Sequence, residues 1–333
     1  MIAIIVLNWN GADYTLRCLE SLGNLEGERA HILVVDNGSE DDSVSRIREA
    51  INGLSQKGGW ILELSEDEIS QLEVFDEDTV TLGLIKSSRN LGFGGGVNLG
   101  LQVALRDPRM TAAWILNNDT IVNRDSLEAL RSTLDKEPGA GIVGSTLLYL
   151  DQPELIQAVG GRYNSWLGTT THVLGKERYS KDLCAKVDPK EFDYIIGASL
   201  CIRREVLERV GLLSEDYFLY FEELDYVERM KREMPNQRLG YAPASLVYHK
   251  EGGATGATDL GGKTTSVATD QFFLISRIRF ARRYYPFRYP LVHMLLCGVF
   301  INRIRRGHWD SAWVVASLLF GRKPRPPLNH LIK

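Results

Sequence analysis

The sequence Leu-Asn-Asn-Asp-Thr stands at residues 116–120, directly after an apolar run of strand length at residues 111–115. The run predicts a buried strand, and open α/β sheets bind their ligands at the C-terminal ends of such strands. Hard divalent cations prefer oxygen ligands, and they take only one or two protein carboxylates when they also bind phosphate. Asp119 can supply that carboxylate, with Asn117 and Asn118 as neutral neighbours.

The same residues are also typical of a turn before a helix, because Asn, Asp and Thr side chains hydrogen-bond to nearby backbone. In that interpretation Asp119 or Thr120 caps the helix expected after Val122. The choice between a ligand site and a helix cap at residues 116–120 therefore depends on motifs elsewhere in the chain.

The composition is that of a globular protein. The 333 residues are 44% hydrophobic, which is enough for one large or two modest domains. Four cysteines are scattered without a Cys-x-x-Cys pair, and the sequence opens directly into a predicted strand, so we expect a reducing, cytoplasmic compartment. The net charge of −4 is uneven, because residues 277–333 hold twelve Lys or Arg against the single acid Asp310.

Two earlier strands also end in polar residues. Apolar runs at residues 2–7 and 31–35 end in Asn-Trp-Asn-Gly at 8–11 and Asp-Asn-Gly-Ser at 36–39. Continuous β-branched runs predict strands buried in a parallel sheet, so this pattern indicates a βαβ start. Asp36 can accept a hydrogen bond from a nucleobase or ribose, or it can belong only to a tight turn, and the motif leaves both open.

A glycine-dense segment, Asn-Leu-Gly-Phe-Gly-Gly-Gly-Val-Asn at residues 90–98, leads into a predicted helix, where backbone can approach a ligand closely. A dinucleotide fingerprint that starts at Gly92 would need a third glycine where Val97 stands, and the complete P-loop pattern is absent. These departures argue against a dehydrogenase and a P-loop NTPase. The acid-rich residues 63–78 are most simply a solvated insertion before the strand at 82–85.

The second half departs from regular alternation. After a strand at residues 142–148, the sequence predicts a loop-rich region at 151–192, a strand at 194–202 and a helix at 204–210. A later strand ends at His249. A lone histidine at a strand end is usually structural, so a functional role for it depends on other functional residues nearby.

Three carboxylates, Glu222, Glu223 and Asp225, stand among aromatic residues at the start of another predicted helix. Acids in a first turn complement the helix dipole by roughly 0.3–1 kcal/mol each, which is one reason for them to be there. An apolar setting also raises the pKa of a carboxyl group, and a raised pKa suits a general base.

Taken in order, these motifs resemble the family 2 glycosyltransferases of the GT-A fold, and among them the bacterial rhamnosyltransferase-type members. The likeness spans about residues 2–255 and includes Gly-Ala-Ser at 197–199 and Tyr-Phe-Glu-Glu-Leu-Asp at 220–225. It implies an α/β fold with a Rossmann-like nucleotide-sugar half, at about residues 1–150, continuous with an acceptor half at about 151–265.

The resemblance implies an inverting transfer of one sugar, rhamnose being one candidate, from a dTDP or UDP sugar. The acceptor would be a hydroxyl of a glycan or lipid-linked molecule in cell-surface polysaccharide synthesis, and no nucleic acid is expected as a partner. The implied nucleotide-sugar site consists of Asn8, Asp36, Asn90, Gly92 and Asn118. Processive relatives carry Gln-x-x-Arg-Trp, and this sequence has no Arg-Trp pair, so a single addition is expected.

For a metal, Mg²⁺ or Mn²⁺, the resemblance implies Asp119 and His249 as ligands. The first acid of the family's Asp-x-Asp motif is replaced by Asn117, so one carboxylate is missing. The family's Glu-Asp pair matches Glu222 and Glu223, which makes Glu223 the expected base, with Glu222 or Asp225 as alternatives.

Two other classes stay open. A sugar-1-phosphate nucleotidyltransferase would be expected to carry a Gly-rich loop with Arg and Lys after its first strand, where this chain has residues 8–11. A non-catalytic nucleotide-sugar-binding protein would keep Asp36 and Asp119 without needing a base.

The tail at residues 266–333 is basic and amphipathic. Leu274 and Ala281 share one side of a projected helix, and the apolar run at 291–301 is too short to span a bilayer, which takes ~20 residues. Such helices can pack on the catalytic domain or form a homodimer. With Trp309 and other aromatic residues beside the positive charge, they also suit an anionic membrane surface at the inner face of the cell membrane.

Overall fold

The first half of the chain alternates strands and helices, as the βαβ pattern predicts. The computed structural model describes residues 1–27, 30–55, 60–72, 81–250 and 267–322. The elements of the first half are β1 (Ile2–Asn8), α1 (Ala12–Leu22), β2 (His31–Asp36), α2 (Ser43–Ser55), β3 (Trp60–Ser65), a 3₁₀ turn (Glu66–Gln71), β4 (Thr81–Lys86), α3 (Gly92–Ala104), β5 (Ala112–Asn117), β6 (Thr120–Val122), α4 (Ser126–Lys136) and β7 (Ala140–Tyr149).

The second half has more regular structure than the sequence predicts. Its elements are β8 (Ile156–Ala158), β9 (Gly161–Asn164), β10 (Thr169–His172), α5 (Lys181–Ala185), a 3₁₀ turn (Pro189–Glu191), β11 (Ser199–Arg203), α6 (Arg204–Val210), α7 (Glu222–Glu233), β12 (Arg238–His249), α8 (Val267–Tyr284), α9 (Tyr289–Arg305) and α10 (Trp309–Leu319). The expected loop-rich region at 151–192 therefore contains three short strands and a helix.

Two local predictions are wrong. The strand expected at 194–202 begins only at Ser199, because Tyr194 instead forms an isolated bridge with Gly161. The interpretation of Asp119 or Thr120 as a helix cap also fails. Thr120 starts β6, which pairs with β12, and α4 begins only at Ser126.

Ten strands of the described chain form one sheet, with nine in the order β3-β4-β2-β1-β5-β11-β7-β12-β6 and β8 paired to β7. From β3 to β5 the neighbours are all parallel, and β11 then runs antiparallel to both β5 and β7. The β1 and β2 strands are buried along almost their whole length, which is why their sequences are continuous apolar runs rather than alternating ones. The α/β class predicted from the sequence is confirmed.

The register of these strands brings the polar motifs to one edge. Asn8 at the end of β1 lies opposite Asp36 at the end of β2, and on the other side of β1 Leu7 lies opposite Asn117. Since parallel strands end on the same side of a sheet, motifs far apart in sequence become neighbours.

Helices cover both faces of the sheet. Successive residues of β1 point to opposite layers. Ile4 packs into a core with Leu19 of α1, while Ile5 belongs to a second core shared with α3, α7 and α8. Because each face of the sheet is covered by helices, alternate residues of a buried strand enter two different cores, and both sets are apolar.

Helix α8 packs with the expected catalytic domain, although the sequence assigns it to the tail. Phe280 is 1% exposed, and it lies with Tyr284 in the same core as Ile5. The other helices of the tail attach beyond it, through a small cluster of Leu274, Leu296 and Val315. The domain division at residue 266 stays a prediction, but α8 is packed as part of the first 250 residues.

None of the helices in the described ranges combines the length and the apolar character that crossing a bilayer requires.

Substituting the buried phenylalanine of α8 tests this packing. We expect Phe280→Ala to lower the free energy of unfolding by about 3–5 kcal/mol, because it leaves a cavity in the core. Phe287→Ala is the matched control, since that ring is 98% exposed and should change stability by less than about 0.5 kcal/mol. Urea unfolding measures both, and equal stabilities would show that α8 folds apart from the catalytic core.

Candidate functional site

The side chain of Asn8 connects the polar strand ends. Its amide nitrogen donates to Asp36 Oδ2 at 2.7 Å and to Ser39 Oγ at 3.2 Å. Its amide oxygen accepts from Thr15 Oγ1 at 2.6 Å and from Asn118 Nδ2 at 3.3 Å. One buried carboxamide therefore joins β1, β2, α1 and the segment after β5.

Asp36 is buried and partly satisfied by its own turn. Oδ1 accepts from the Ser39 backbone N–H at 3.0 Å, and Oδ2 accepts from Ser39 Oγ at 2.7 Å in addition to Asn8. Because a carboxylate has about four acceptor positions, one on Oδ1 is left for a ligand's N–H or hydroxyl. The tight turn and the ligand site that the sequence left open are compatible here.

The turn at Asn90 and Gly92 is held against the end of β2. Asn37 Nδ2 donates to Asn90 Oδ1 and to Gly92 O, both at 3.0 Å. Gly92 has a φ of +77°, and a Cβ there would lie 2.5 Å from Phe218 O, so only glycine fits. The Phe93 N–H donates to the same oxygen at 2.8 Å. This turn thereby contacts the loop that leads to the three acids of α7.

Asp119 and His249 form a second cluster at the same edge. Their Oδ1 and Nε2 atoms are 3.1 Å apart, and the two residues are only 6% and 7% exposed. On the other side of the ring, His249 Nδ1 lies 2.8 Å from Gln157 Oε1. An amide oxygen only accepts, so Nδ1 carries the proton, and in a neutral ring Nε2 presents its lone pair towards Asp119. Two acceptors that face each other at this distance need a proton or a cation between them.

That arrangement fits a divalent ion that also binds phosphate. Within the described ranges no group of three or more His, Cys, Asp or Glu side chains is placed to hold a metal ion. A phosphate-bound Mg²⁺ or Mn²⁺ needs fewer, because substrate oxygens and water complete its coordination. Asp119 and His249 would be its protein ligands. Asn117 lies next to them, with Nδ2 3.4 Å from His249 Nε2.

The three acids follow a strained stretch of backbone. Tyr220 and Phe221 both have left-handed φ values, 70° and 73°, which bulky residues rarely adopt. Contacts from α8 compensate for the strain. Ser276 Oγ donates to Leu219 O at 2.9 Å, and the Phe280 ring packs 5.4 Å from the Phe221 ring. Backbone strain of this kind is typical of functional sites.

Glu223 lies close to the end of β5, where Asn117 precedes Asp119. A Cβ on Gly197 would be 3.9 Å from Glu223 Cδ, and the next residue, Ala198, accepts a backbone bond from Asn117 at 3.2 Å. The Gly-Ala-Ser motif thus separates Glu223 from the end of β5 by a single segment. Burial raises the pKa of Glu223 to about 7, and the residue as a whole is only partly buried.

Glu222 is more deeply placed than its neighbour. It is 2% exposed, and its Oε1 has no hydrogen-bond partner among the described residues. Burial, and then the charge of Glu223, raise its pKa well above the usual value. Glu222 therefore holds its proton more tightly than an ordinary carboxyl group does.

Asp225 is occupied by structural contacts. It is fully buried and accepts from Arg229 Nε at 2.8 Å and from Tyr284 Oη at 2.6 Å. Tyr217 Oη and Arg283 Nη1 each lie 3.4 Å from its Oδ1. These four partners leave no open side for an acceptor hydroxyl, so its part is to join α7 to α8.

Sequence reasoning missed several residues of this edge. Gln157 lies in the region predicted to be loop-rich, and nothing in its local sequence indicates that it orients a histidine 92 positions later. Thr15 and Ser39 read as ordinary helix and turn residues, although both contact Asn8. Tyr284 lies in the expected tail. A hydrogen-bonding side chain carries no sequence periodicity, so only the fold shows its partner.

The match to a protein family is extensive. Residues 3–64 and 74–211 match the model of "Glycosyl transferase family 2", which is more than half of the chain. The hexosyltransferase Agl10 of low-salt glycan biosynthesis in Haloferax volcanii is 24% identical over 210 residues, 62% of each chain. The N-acetylglucosaminyl-diphospho-decaprenol L-rhamnosyltransferase of Mycobacterium tuberculosis is 24% identical over 194 residues, 52% of this chain and 60% of that one. The chain thus spans about three fifths of the length of these curated relatives.

Solved structures share the fold. The mannosyltransferase PcManGT from Pyrobaculum calidifontis, in complex with GDP-Man and Mn²⁺, superposes with a TM-score of 0.52 at 16% identity, over 99% of this chain and 78% of that one. GalNAc-T7 with UDP, GalNAc and Mn²⁺ gives a TM-score of 0.55 at 14% identity, over 83% and 47% of the two chains. Both are GT-A glycosyltransferases, as the sequence resemblance implied. This chain belongs to glycosyl transferase family 2 and has the GT-A fold.

Proposed function

We propose that this protein is a metal-assisted, inverting glycosyltransferase that adds one sugar from a dTDP or UDP sugar to an acceptor hydroxyl. The observation that carries the proposal is the facing pair of Asp119 and His249, 3.1 Å apart. This pair adjoins Asn118, which is linked through Asn8 to Asp36. A diphosphate site and a nucleoside site thereby share one edge of the sheet.

Each part of the site has a chemical task in this reaction. Loss of a nucleoside diphosphate from an anomeric carbon leaves negative charge on its phosphate, and a bound divalent cation supplies the stabilising charge. Asp119 and His249 would hold that ion, while Asp36 and Asn8 orient the nucleoside. Glu223 removes the proton from the attacking hydroxyl. The amide oxygen of Gln157 keeps the His249 ring in the tautomer that presents Nε2 to the ion.

The acceptor is proposed to be a glycan or a lipid-linked molecule, with rhamnose among the sugars transferred. One relative is named as a hexosyltransferase of glycan biosynthesis, and another as a rhamnosyltransferase whose acceptor carries a diphospho-decaprenol. These names support the class of acceptor. The direct test is to incubate the protein with dTDP and UDP sugars, Mn²⁺ and candidate acceptors. Release of a nucleoside diphosphate together with a glycosylated acceptor supports the proposal, and release of pyrophosphate from a nucleoside triphosphate would indicate a nucleotidyltransferase instead.

Removing the metal carboxylate should separate binding from folding. We expect Asp119→Ala to abolish Mn²⁺-dependent donor binding, because Asn117 and Asn118 are neutral and cannot replace the carboxylate. Calorimetry with donor and Mn²⁺ measures the loss. Asp135→Ala is the control, since that carboxylate is exposed and pairs with Arg131 on α4, away from the proposed site. Unchanged affinity in Asp119→Ala would contradict the metal assignment.

The residue behind the histidine should matter to metal affinity as well. Gln157→Leu keeps the approximate size of the side chain but removes the acceptor for His249 Nδ1. Partners of this kind typically contribute 10–100-fold to metal affinity, and we expect a loss of about that size. Titration with Mn²⁺ and donor, monitored by calorimetry, gives the ratio, and wild-type affinity would show that Gln157 does not support metal binding through His249.

Replacing the base should leave binding intact. Glu223→Gln keeps the shape of the side chain but cannot accept a proton, so we expect near-normal donor affinity and a transfer rate lower by about 10²–10⁴-fold. Glu222→Gln and Asp225→Asn are the comparison variants. Normal turnover by Glu223→Gln together with a loss in either of the others would move the base to that residue.

The raised pKa of Glu223 predicts the pH dependence of transfer. Below about pH 7 this carboxyl is protonated and cannot act as a base. The value of kcat/KM should therefore rise with pH, with a slope of one on a logarithmic scale, and level off above about 7. Initial rates between pH 5 and 9 check this, with donor affinity measured at each pH. A kcat/KM that is flat from pH 5 to 9, as an ordinary carboxyl pKa of about 4.3 would give, would mean that Glu223 is not the base.

A further inference from the structure

The exposed large apolar side chains of the described chain are concentrated around its C-terminal helices. Six of the eight belong to α9, α10 and their flanks: Phe287, Met294, Ile301, Trp309, Trp313 and Phe320. The other two, Trp166 and Leu167, form the tip of the turn between β9 and β10. Soluble surfaces rarely gather apolar residues in this way, so the grouping indicates an interaction surface.

The β9–β10 turn is fixed to the helices. Arg277 of α8 donates to Leu167 O, and Arg288, just before α9, donates to Ser165 Oγ. The Arg288 guanidinium also lies 4.6 Å from the centre of the Trp166 ring. Trp166 and Leu167 therefore lie beside the start of α9, close to Arg288, the residue that follows the 98% exposed Phe287.

The apolar residues of α9 and α10 form a stripe on each helix. Met294 and Ile301 are seven positions apart, and Trp309 and Trp313 are four apart, spacings that return to the same helix face. His293 Nε2 lies 3.1 Å from Leu319 O, which places the end of α10 against the start of α9. Phe320 is thereby brought to the end of the helix pair that carries the β9–β10 turn.

Positive charge accompanies these residues. Residues 277–333 contain twelve Lys or Arg and one acid, and the side chains of Arg282, Arg305, Arg306 and Arg322 are exposed. Trp, Phe and Met next to arginine are the composition of helices that lie in a membrane interface. A symmetric contact between two copies would instead bring like charges together, which opposes association.

We propose that the β9–β10 turn and the exposed stripes of α9 and α10 form one lipid-facing surface, which docks on an anionic bilayer without crossing it. The turn belongs to the acceptor half, so docking would set the catalytic unit, and not only its tail, against the membrane. This proposal rests on the proposed function in one respect, which is the reason for docking, namely access to a lipid-linked acceptor. Binding to vesicles is independent of catalysis and can be measured on the Glu223→Gln variant.

Point variants test this surface better than a deletion, because removing residues 277–333 would also take Phe280 and Tyr284 out of the core. The first pair is Arg305→Gln with Arg306→Gln, and its control is Arg17→Gln with Arg106→Gln, two exposed arginines of the nucleotide half. Sedimentation with phosphatidylglycerol and phosphatidylcholine vesicles gives the partition coefficients. We expect the intact protein to prefer the anionic vesicles, the first pair to bind them about fivefold less for each charge removed, and the control pair to bind normally.

The second pair is Leu167→Ser with Phe287→Ser, which tests whether the turn takes part. We expect this pair to bind anionic vesicles more weakly than the intact protein does. The difference should persist at high salt, where the contribution of charge to binding is screened. Free glycerol phosphate should not compete, because a soluble headgroup lacks the apolar phase. Donor hydrolysis should stay at the wild-type rate in both pairs, so a failure of docking is distinguishable from a failure of the proposed function.

Three outcomes would overturn the proposal. They are equal binding to neutral and anionic vesicles, wild-type binding by the Leu167/Phe287 pair, and a stable dimer in sedimentation equilibrium that this pair dissociates. The last result would assign the surface to a second copy of the chain.

Discussion

The buried carboxylate of Asp225 joins α7 to α8, and through them the candidate site to the C-terminal helices. A charged group is costly to bury unless it is paired and hydrogen-bonded, and Asp225 meets that requirement with Arg229 from its own helix and Tyr284 and Arg283 from α8. The contacts hold α7 and α8 in one relative position. Consequently, one packed unit contains both the acids that precede Asp225 and the helices that follow α8. The candidate site and the exposed surface of α9 and α10 are therefore fixed with respect to each other.

The proposed metal ligands, Asp119 and His249, have a consequence for how the donor would bind. A divalent ion held by one carboxylate and a neutral imidazole keeps a formal charge of about +1, whereas two carboxylates would neutralise it. The remaining charge favours a diphosphate strongly, and by linkage the diphosphate increases the affinity for the ion by the same factor. In the proposed site, Asn117 in place of an acid would therefore make the affinities for ion and donor more dependent on each other.

The sequence predicts this fold best where burial leaves a continuous pattern. The strands β1, β2 and β5 are apolar along their length because both sheet faces are covered, and their polar ends locate the edge at which Asn8, Asp36 and Asp119 meet. The short strands β8 to β10 give no such signal, because each has only three or four residues. Gln157 was missed for that reason. The packing of α8 on the catalytic domain was one of the interpretations that the sequence left open, because a helix with five charged and four aromatic residues among eighteen suits a membrane surface as well as a core.

The left-handed backbone at Tyr220 and Phe221 has a consequence for the order in which the molecule assembles. Such conformations cost about 1–3 kcal/mol each unless the surroundings compensate, and the compensating contacts come from Ser276, Phe273 and Phe280. All three belong to α8, which leaves the ribosome after the sheet and α7 have been made. The segment that carries the proposed base, Glu223, can therefore reach its final shape only in a late step of biosynthesis, and a nascent chain that already holds the whole nucleotide half still lacks the contacts that shape it.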